Sequence, residues 1–172
     1  VHRQADPATV LSRKEQVENA LPDPGAMGGL QGVGASVTAA DGRLGCPSVR
    51  ECRGKWFGRA KYALGGDDTY CVGFHLTTYT TRQDARDGLK REAGRHPVSP
   101  KPAVGNESLA YSKSAGGLRG VYLTMRIGTV VATTFVEGGE AEPMLTQGAA
   151  MFARRITQVE AGTKATATLP RS

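Results

Sequence analysis

The sequence predicts an α+β fold: one antiparallel sheet of about five strands with helices packed on it, in the order helix, two strands, helix, three strands, helix. Three features point there. Segments of helical periodicity alternate with grouped runs rich in β-branched and aromatic residues. Those runs are joined by short Gly-bearing turns suited to hairpins. No βαβ alternation of Val/Ile-rich runs occurs that would demand a parallel sheet. The 172 residues suit one compact core. The expected partition is a flexible linker at 1–7, one domain at 8–162 and a disordered tail at 163–172.

Residues 8–20, ATVLSRKEQVENA, place Val10, Val17 and Leu21 along one side and charged residues on the rest, a short amphipathic helix stopped by Pro22 and Pro24. The stretch PDPGAMGGLQGVG, with two Pro and five Gly, reads as a loop. Residues 55–64 (KWFGRAKYAL) and 69–79 (TYCVGFHLTTY) flank GGDD, a hairpin turn. In the second strand Tyr70, Val72, Phe74 and Leu76 alternate with Cys71, Gly73, His75 and Thr77, so the first set should face the core. Pairing Leu64 with Thr69 puts Tyr62 opposite Cys71. Trp56 and Tyr62 then share a face with His75, and Phe57, Arg59 and Lys61 take the other.

TTRQDARDGLKREAG carries a Thr81 to Asp84 capping pattern and Ala85, Leu89 and Ala93 at four-residue steps, predicting the second helix. SLAYSK, LRGVYLTMR and VVATTFVE, joined by short Gly turns, predict a meander. Pro143 opens a final helix with Met144, Leu145, Phe152, Ile156 and Val159 on one side and Gly162 at its end. The remainder, TKATATLPRS, reads as unstructured.

Net charge is +6, and most of the excess lies between Arg43 and Lys61, where Arg43, Arg50, Arg53, Lys55, Arg59 and Lys61 face a single anion, Glu51. Such a field favours polyanions but is screened within about 8 Å at physiological salt. No stretch approaches the length of apolar residues that spans a bilayer. The chain opens with Val1, so an upstream segment is expected, with room there for a signal peptide.

Cys46 and Cys52 lie in the loop LGCPSVRECRG, whereas Cys71 stands inside an apolar run. The three histidines are scattered, which disfavours zinc, since tetrahedral sites want paired short ligand spacings. Two loop thiols fit a small disulfide ring, and an extended hairpin puts Cys71 roughly 33 Å from Cys52. A Cys46–Cys52 bridge would stabilise by about 2–3 kcal/mol and implies an oxidising compartment. The alternative is three reduced thiols.

Catalytic signatures are missing. There is no G-x-S-x-G elbow, no S-x-x-K and no G-x-x-x-x-G-K-[ST] phosphate loop. Cys71 and His75 would sit some 13 Å apart along one strand face, too far for a thiolate pair. Asp67 and Asp68 read as turn residues. No metal and no cofactor is implied. The candidates for binding are Lys55, Trp56, Arg59, Lys61, Tyr62 and His75, cations interleaved with aromatics. Alternation divides this set between two faces, which argues against a single-strand nucleic-acid platform; Trp56, Tyr62 and His75 can still line a pocket or contact patch.

The segments ALPDPGAMGG, CPSVREC, TTYTTRQDARDGLKREA, GNESLAYSKS, MRIGTVVATTFVEGG and ARRITQVEAG, spread over residues 8–162, resemble small secreted lipoproteins of actinobacteria, especially streptomycetes. The layout is also similar to the extracytoplasmic sensor domain of mycobacterial Ser/Thr kinases and to cell-envelope accessory lipoproteins. The resemblance implies an exported module, lipid-anchored through a Cys outside the given chain or secreted. It implies a partner such as a membrane-associated sensor kinase or an anionic envelope component.

The expected function is therefore a non-catalytic extracytoplasmic module that binds a cell-envelope ligand or partner protein and modulates an envelope-stress kinase. Two alternatives stand beside it: a protease inhibitor presenting Arg50 in the Cys46–Cys52 loop, and a small secreted hydrolase.

Overall fold

The computed structural model describes residues 5–40, 54–65, 67–115, 117–138 and 142–171. Cys46 and Cys52 lie outside them, and so do Arg43, Arg50 and Arg53. Among the described residues the elements are α1 (Lys14–Ala20), β1 (Gly32–Ala39), β2 (Gly54–Leu64), β3 (Asp67–Tyr79), α2 (Arg82–Glu92), β4 (Glu107–Ala115), β5 (Leu118–Ile127), β6 (Val130–Glu137) and α3 (Glu142–Glu160). The strands form a single sheet in the order β1-β2-β3-β6-β5-β4, and all neighbours are antiparallel. The connection through α2 carries the chain from the middle of the sheet to its far edge, and the β4-β5-β6 meander returns it to pair with β3.

The α+β class and antiparallel sheet are those predicted, but the described residues form six strands where about five were expected. The additional strand, β1, lies in part within the Gly-rich stretch read as a loop. Gly32 and Gly34 carry no side-chain signal, yet the backbone of this segment bonds β2 from Gly32↔Tyr62 to Ala39↔Trp56. Strand pairing needs backbone groups and a neighbour, and an edge strand needs little burial of its own. The first helix is shorter than residues 8–20, beginning at Lys14, although Leu11 ahead of it is fully buried.

One face of the sheet is covered by α1 and α3. Val72, Phe74 and Leu76 of β3, Leu123, Met125 and Ile127 of β5, and Val130, Ala132 and Val136 of β6 pack against Met151, Phe152 and Ile156 of α3 and Val17 of α1. Phe74 and Phe152 meet edge to face at 5.3 Å between centroids, the arrangement that ring quadrupoles favour. Gly58 is where α1 crosses: a Cβ there would fall 2.6 Å from Val17 Cγ1.

Among the described residues the opposite face is covered at one end, by α2. Ala85 and Leu89 pack with Tyr79, Val131 and Leu109. Thr81 caps this helix as predicted, its hydroxyl accepting from the Asp84 N–H at 3.0 Å.

The first and last described segments are both held to the domain. Residues 163–171 form neither helix nor strand, but Leu169 N–H donates to Ala26 O at 2.8 Å and Ala165 is buried. At the other end, in the span read as a linker, Asp6 pairs with Arg126 at 2.8 Å. Among the described residues no helix is long and apolar enough to cross a membrane.

Candidate functional site

The uncovered part of the second face is built from alternate residues of β2, β3, β5 and β6. The cross-strand register aligns Phe57 with Thr77, Arg59 with His75 and Lys61 with Gly73, and Gly73 in turn with Phe135, and Cys71 with Glu137. Side chains of a strand alternate between faces, so Phe57, Arg59, Lys61, His75, Phe135 and Glu137 stand together.

Rings run across the sheet. Phe57 and His75 lie 5.8 Å apart, His75 and Phe135 6.0 Å, Phe135 and Tyr122 5.4 Å, and Tyr122 and Tyr111 5.3 Å. Each ring comes from a different strand, β2, β3, β6, β5 and β4 in turn. The Tyr pair is parallel to 9°, whereas the His75 contacts are tilted by 51° and 46°. Around the tilted end lies a concavity of about 450 Å³, lined by Phe57, Arg59, Lys61, His75 and Phe135 with Gly34 and Ser36 of β1.

Polar groups flank the aromatic row on both sides. On one side Tyr122 Oη donates to Glu137 Oε1 at 2.7 Å, and Lys61 Nζ lies 3.9 Å from Glu137 Oε2. Burial and the adjacent carboxylate push the Tyr122 phenol well above its ordinary range. On the other side Glu92, from the last turn of α2, reaches back over the sheet. Its Oε1 accepts from Thr133 Oγ1 at 2.9 Å. His75 Nδ1 lies 3.1 Å from the same oxygen, but Nδ1 lacks the alignment of a hydrogen bond. We therefore treat the pair as a close electrostatic contact. Thr133 continues to Thr124 at 2.8 Å and thence to Tyr111 Oη at 3.2 Å.

The residues singled out in the sequence divide differently from the expected pairing. Arg59, Lys61 and His75 come together on the open face. Trp56 and Tyr62 do not join them. Tyr62 is buried beneath α1, its hydroxyl donating to Pro22 O, and burial raises its phenol. Trp56 Nε1 donates to Ser12 O at 2.9 Å. Lys55 is exposed near the start of β2, where the register shifts.

The cause is a shift of one residue. Tyr62 pairs with Val72, not Cys71, because the register shifts between Ala63 and Leu64 and brings Leu64 opposite Asp67. A slip of one position exchanges the faces of an entire strand, and it moves His75 from the company of Trp56 and Tyr62 to that of Phe57, Arg59 and Lys61. Phe135, Glu92 and Glu137 complete the site from segments far away in sequence; strand alternation already placed Phe135 and Glu137 on one face of β6, but not beside β3.

A second hollow, of about 570 Å³, lies around Asp6, Arg86, Asn106, Glu107 and Arg126. Its charges compensate one another. Arg126 is 2% exposed, pairs with both Asp6 and Glu107, and donates to Gly128 O at 2.9 Å, while Arg86 lies 3.5 Å from Glu107. This cluster clamps the N-terminal segment to the sheet.

Cys71 is buried at the rim of the open face and its thiol is pushed up by burial, which suits a structural role and not a nucleophile.

No protein-family model matches the chain, and no curated protein matches its sequence. Among solved structures, the extracellular domain of PknH from Mycobacterium tuberculosis is similar. The TM-score is 0.52 at 12% sequence identity, over 87% of this chain and 97% of that one. The likeness is one of fold.

Proposed function

We propose that this chain is a non-catalytic, extracytoplasmic sensor-like module that binds an envelope ligand or a partner protein through the open sheet face around Phe57, Arg59, His75 and Phe135. The observation that carries the reading is the concavity itself. It is ring-lined, edged by cations, and set on the part of the sheet that the described helices leave bare. Pockets of this kind, mostly apolar with a few placed polar groups, are where small ligands bind.

The shared fold with the extracellular domain of PknH supports an extracytoplasmic location and a signalling role. In this reading the chain is anchored through a lipidated Cys upstream or secreted, and it responds to an anionic envelope component or modulates a membrane-associated kinase. The Cys46–Cys52 bridge belongs to the same reading, because it requires an oxidising compartment.

Amide chemical-shift mapping with fractionated cell-envelope extract tests the proposal. Shifts should gather on Gly73, His75 and Phe135 and their cross-strand neighbours. Shifts confined to other surfaces, or turnover of ester or glycoside substrates that His75→Ala abolishes, would overturn it.

A further inference from the structure

The concavity discriminates by charge and shape. Of its two cations, Lys61 is already engaged by Glu137, whose other oxygen accepts from Tyr122. Arg59 Nε donates to Ser36 Oγ at 3.2 Å, and among the described residues no carboxylate lies within ion-pair distance of its guanidinium. Arg59 is paired with His75 across β2 and β3, and Glu92 stands against His75 from the far, β6 side, where it also meets Thr133. A negative group on a ligand is repelled there and attracted to the Arg59 side, so the hollow has a polarity. A guanidinium in that position offers a planar, two-pronged donor that fits carboxylate, sulfonate or phosphate.

The remaining walls are unusual for being rings. Phe57, His75 and Phe135 surround the space at 5.8 and 6.0 Å between neighbours, splayed by about half a right angle and not stacked on one another. Rings so arranged touch one another and present edges and faces to whatever rests against them, and a planar π system satisfies both geometries. The volume of about 450 Å³ lies in the range of small-molecule sites and has room for a body of one or two fused rings.

We propose that this concavity takes a small aromatic anion, its charged group on Arg59 and its planar body among Phe57, His75 and Phe135. The assignment rests on the binding role proposed above and narrows it to one ligand chemistry.

Three probes separate charge from planarity: 2-naphthoate, neutral 2-naphthalenemethanol and the non-planar anion cyclohexanecarboxylate, each titrated into labelled full chain with amide shifts recorded. The naphthoate should shift Phe57, His75 and Phe135 and bind at least ten times more tightly than either of the others. Arg59→Gln, on an exposed side chain, should weaken naphthoate about tenfold and leave the neutral arene within twofold. Equal binding of all three probes, tighter binding of the cyclohexane acid, an unaffected Arg59→Gln variant, or no naphthoate binding at millimolar concentration overturns the assignment. If envelope fractions still perturb this face in any of those cases, only the ligand chemistry fails. If they perturb nothing there, the binding role falls with it.

Discussion

The ring of Phe135 on β6 occupies the space above Gly73, its directly paired residue on β3, so closely that a Cβ at position 73 would overlap it. The glycine makes the floor of the concavity and the phenylalanine makes its wall; neither can be exchanged without the other moving. An aromatic side chain laid over a strand glycine replaces the side-chain contact that the glycine lacks.

Gly73→Ala should therefore destabilise the protein by about 1–3 kcal/mol, the usual cost of overpacking a filled position, and should displace the Phe135 ring from His75. Urea unfolding together with the ring proton shifts of Phe135 reads both. A loss under about 0.5 kcal/mol with unchanged shifts would show that the ring swings aside freely.

Arg155, 3% exposed on α3, donates to Asn19 O, Ala20 O and Leu21 O at the end of α1, at 3.1, 3.2 and 3.1 Å, and to Ala167 O at 3.0 Å. A helix of seven residues has few carbonyls bonded internally, and this one guanidinium supplies their donors. Arg155→Met keeps the apolar stem but leaves those oxygens buried without partners. The expected loss is about 3–5 kcal/mol in chemical denaturation, with α1 and the C-terminal segment losing amide protection first. Uniform loss across the sheet would contradict the assignment.

Glu160 gives the stability a pH dependence. It is 5% exposed, and neither oxygen has a hydrogen-bond partner among the described residues. Burial, with Asp6 adding to it and Arg126 opposing, raises its carboxyl from the ordinary 4.5 to about 8. The folded chain thus keeps a proton that the unfolded chain releases. Its contribution is complete below about pH 4.5 and is lost as pH rises toward 8, by on the order of 3–5 kcal/mol. Glu160→Gln should match the parent within about 1 kcal/mol at pH 5 and exceed it in melting temperature at pH 9. Parallel curves for the two proteins from pH 5 to 9 would refute this.

Thiol counting addresses the cysteines. Cys71 is buried with a raised thiol pKa, so if Cys46 and Cys52 are bridged, as proposed, the native unreduced protein should take up no alkylating reagent. After denaturation without reductant it should take up one equivalent. Three equivalents would exclude the bridge.

Local patterns were readable wherever one element decides its own structure. The Thr81 cap, the alternation of Val72, Phe74 and Leu76, the Gly-punctuated meander and the apolar side of α3 all follow from neighbours within a few residues. Beyond that range the signal fades. The Gly-rich β1 strand offers no periodicity to read, because its pairing depends on β2 being present. The site was half legible. Arg59, Lys61 and His75 stood out by residue type, but their true companions did not, since Phe135, Glu92 and Glu137 arrive through β6 and α2.

Sequence alone determined the α+β class, the antiparallel pairing and which side of β3 enters the core, because apolar periodicity and turn chemistry are local properties. Only the tertiary structure decided that His75 faces Arg59 and not Trp56. That depended on one register shift at Ala63 and Leu64, and such a shift is placed by how two strands settle against the rest of the sheet, a sum of contacts that no short stretch of chain contains.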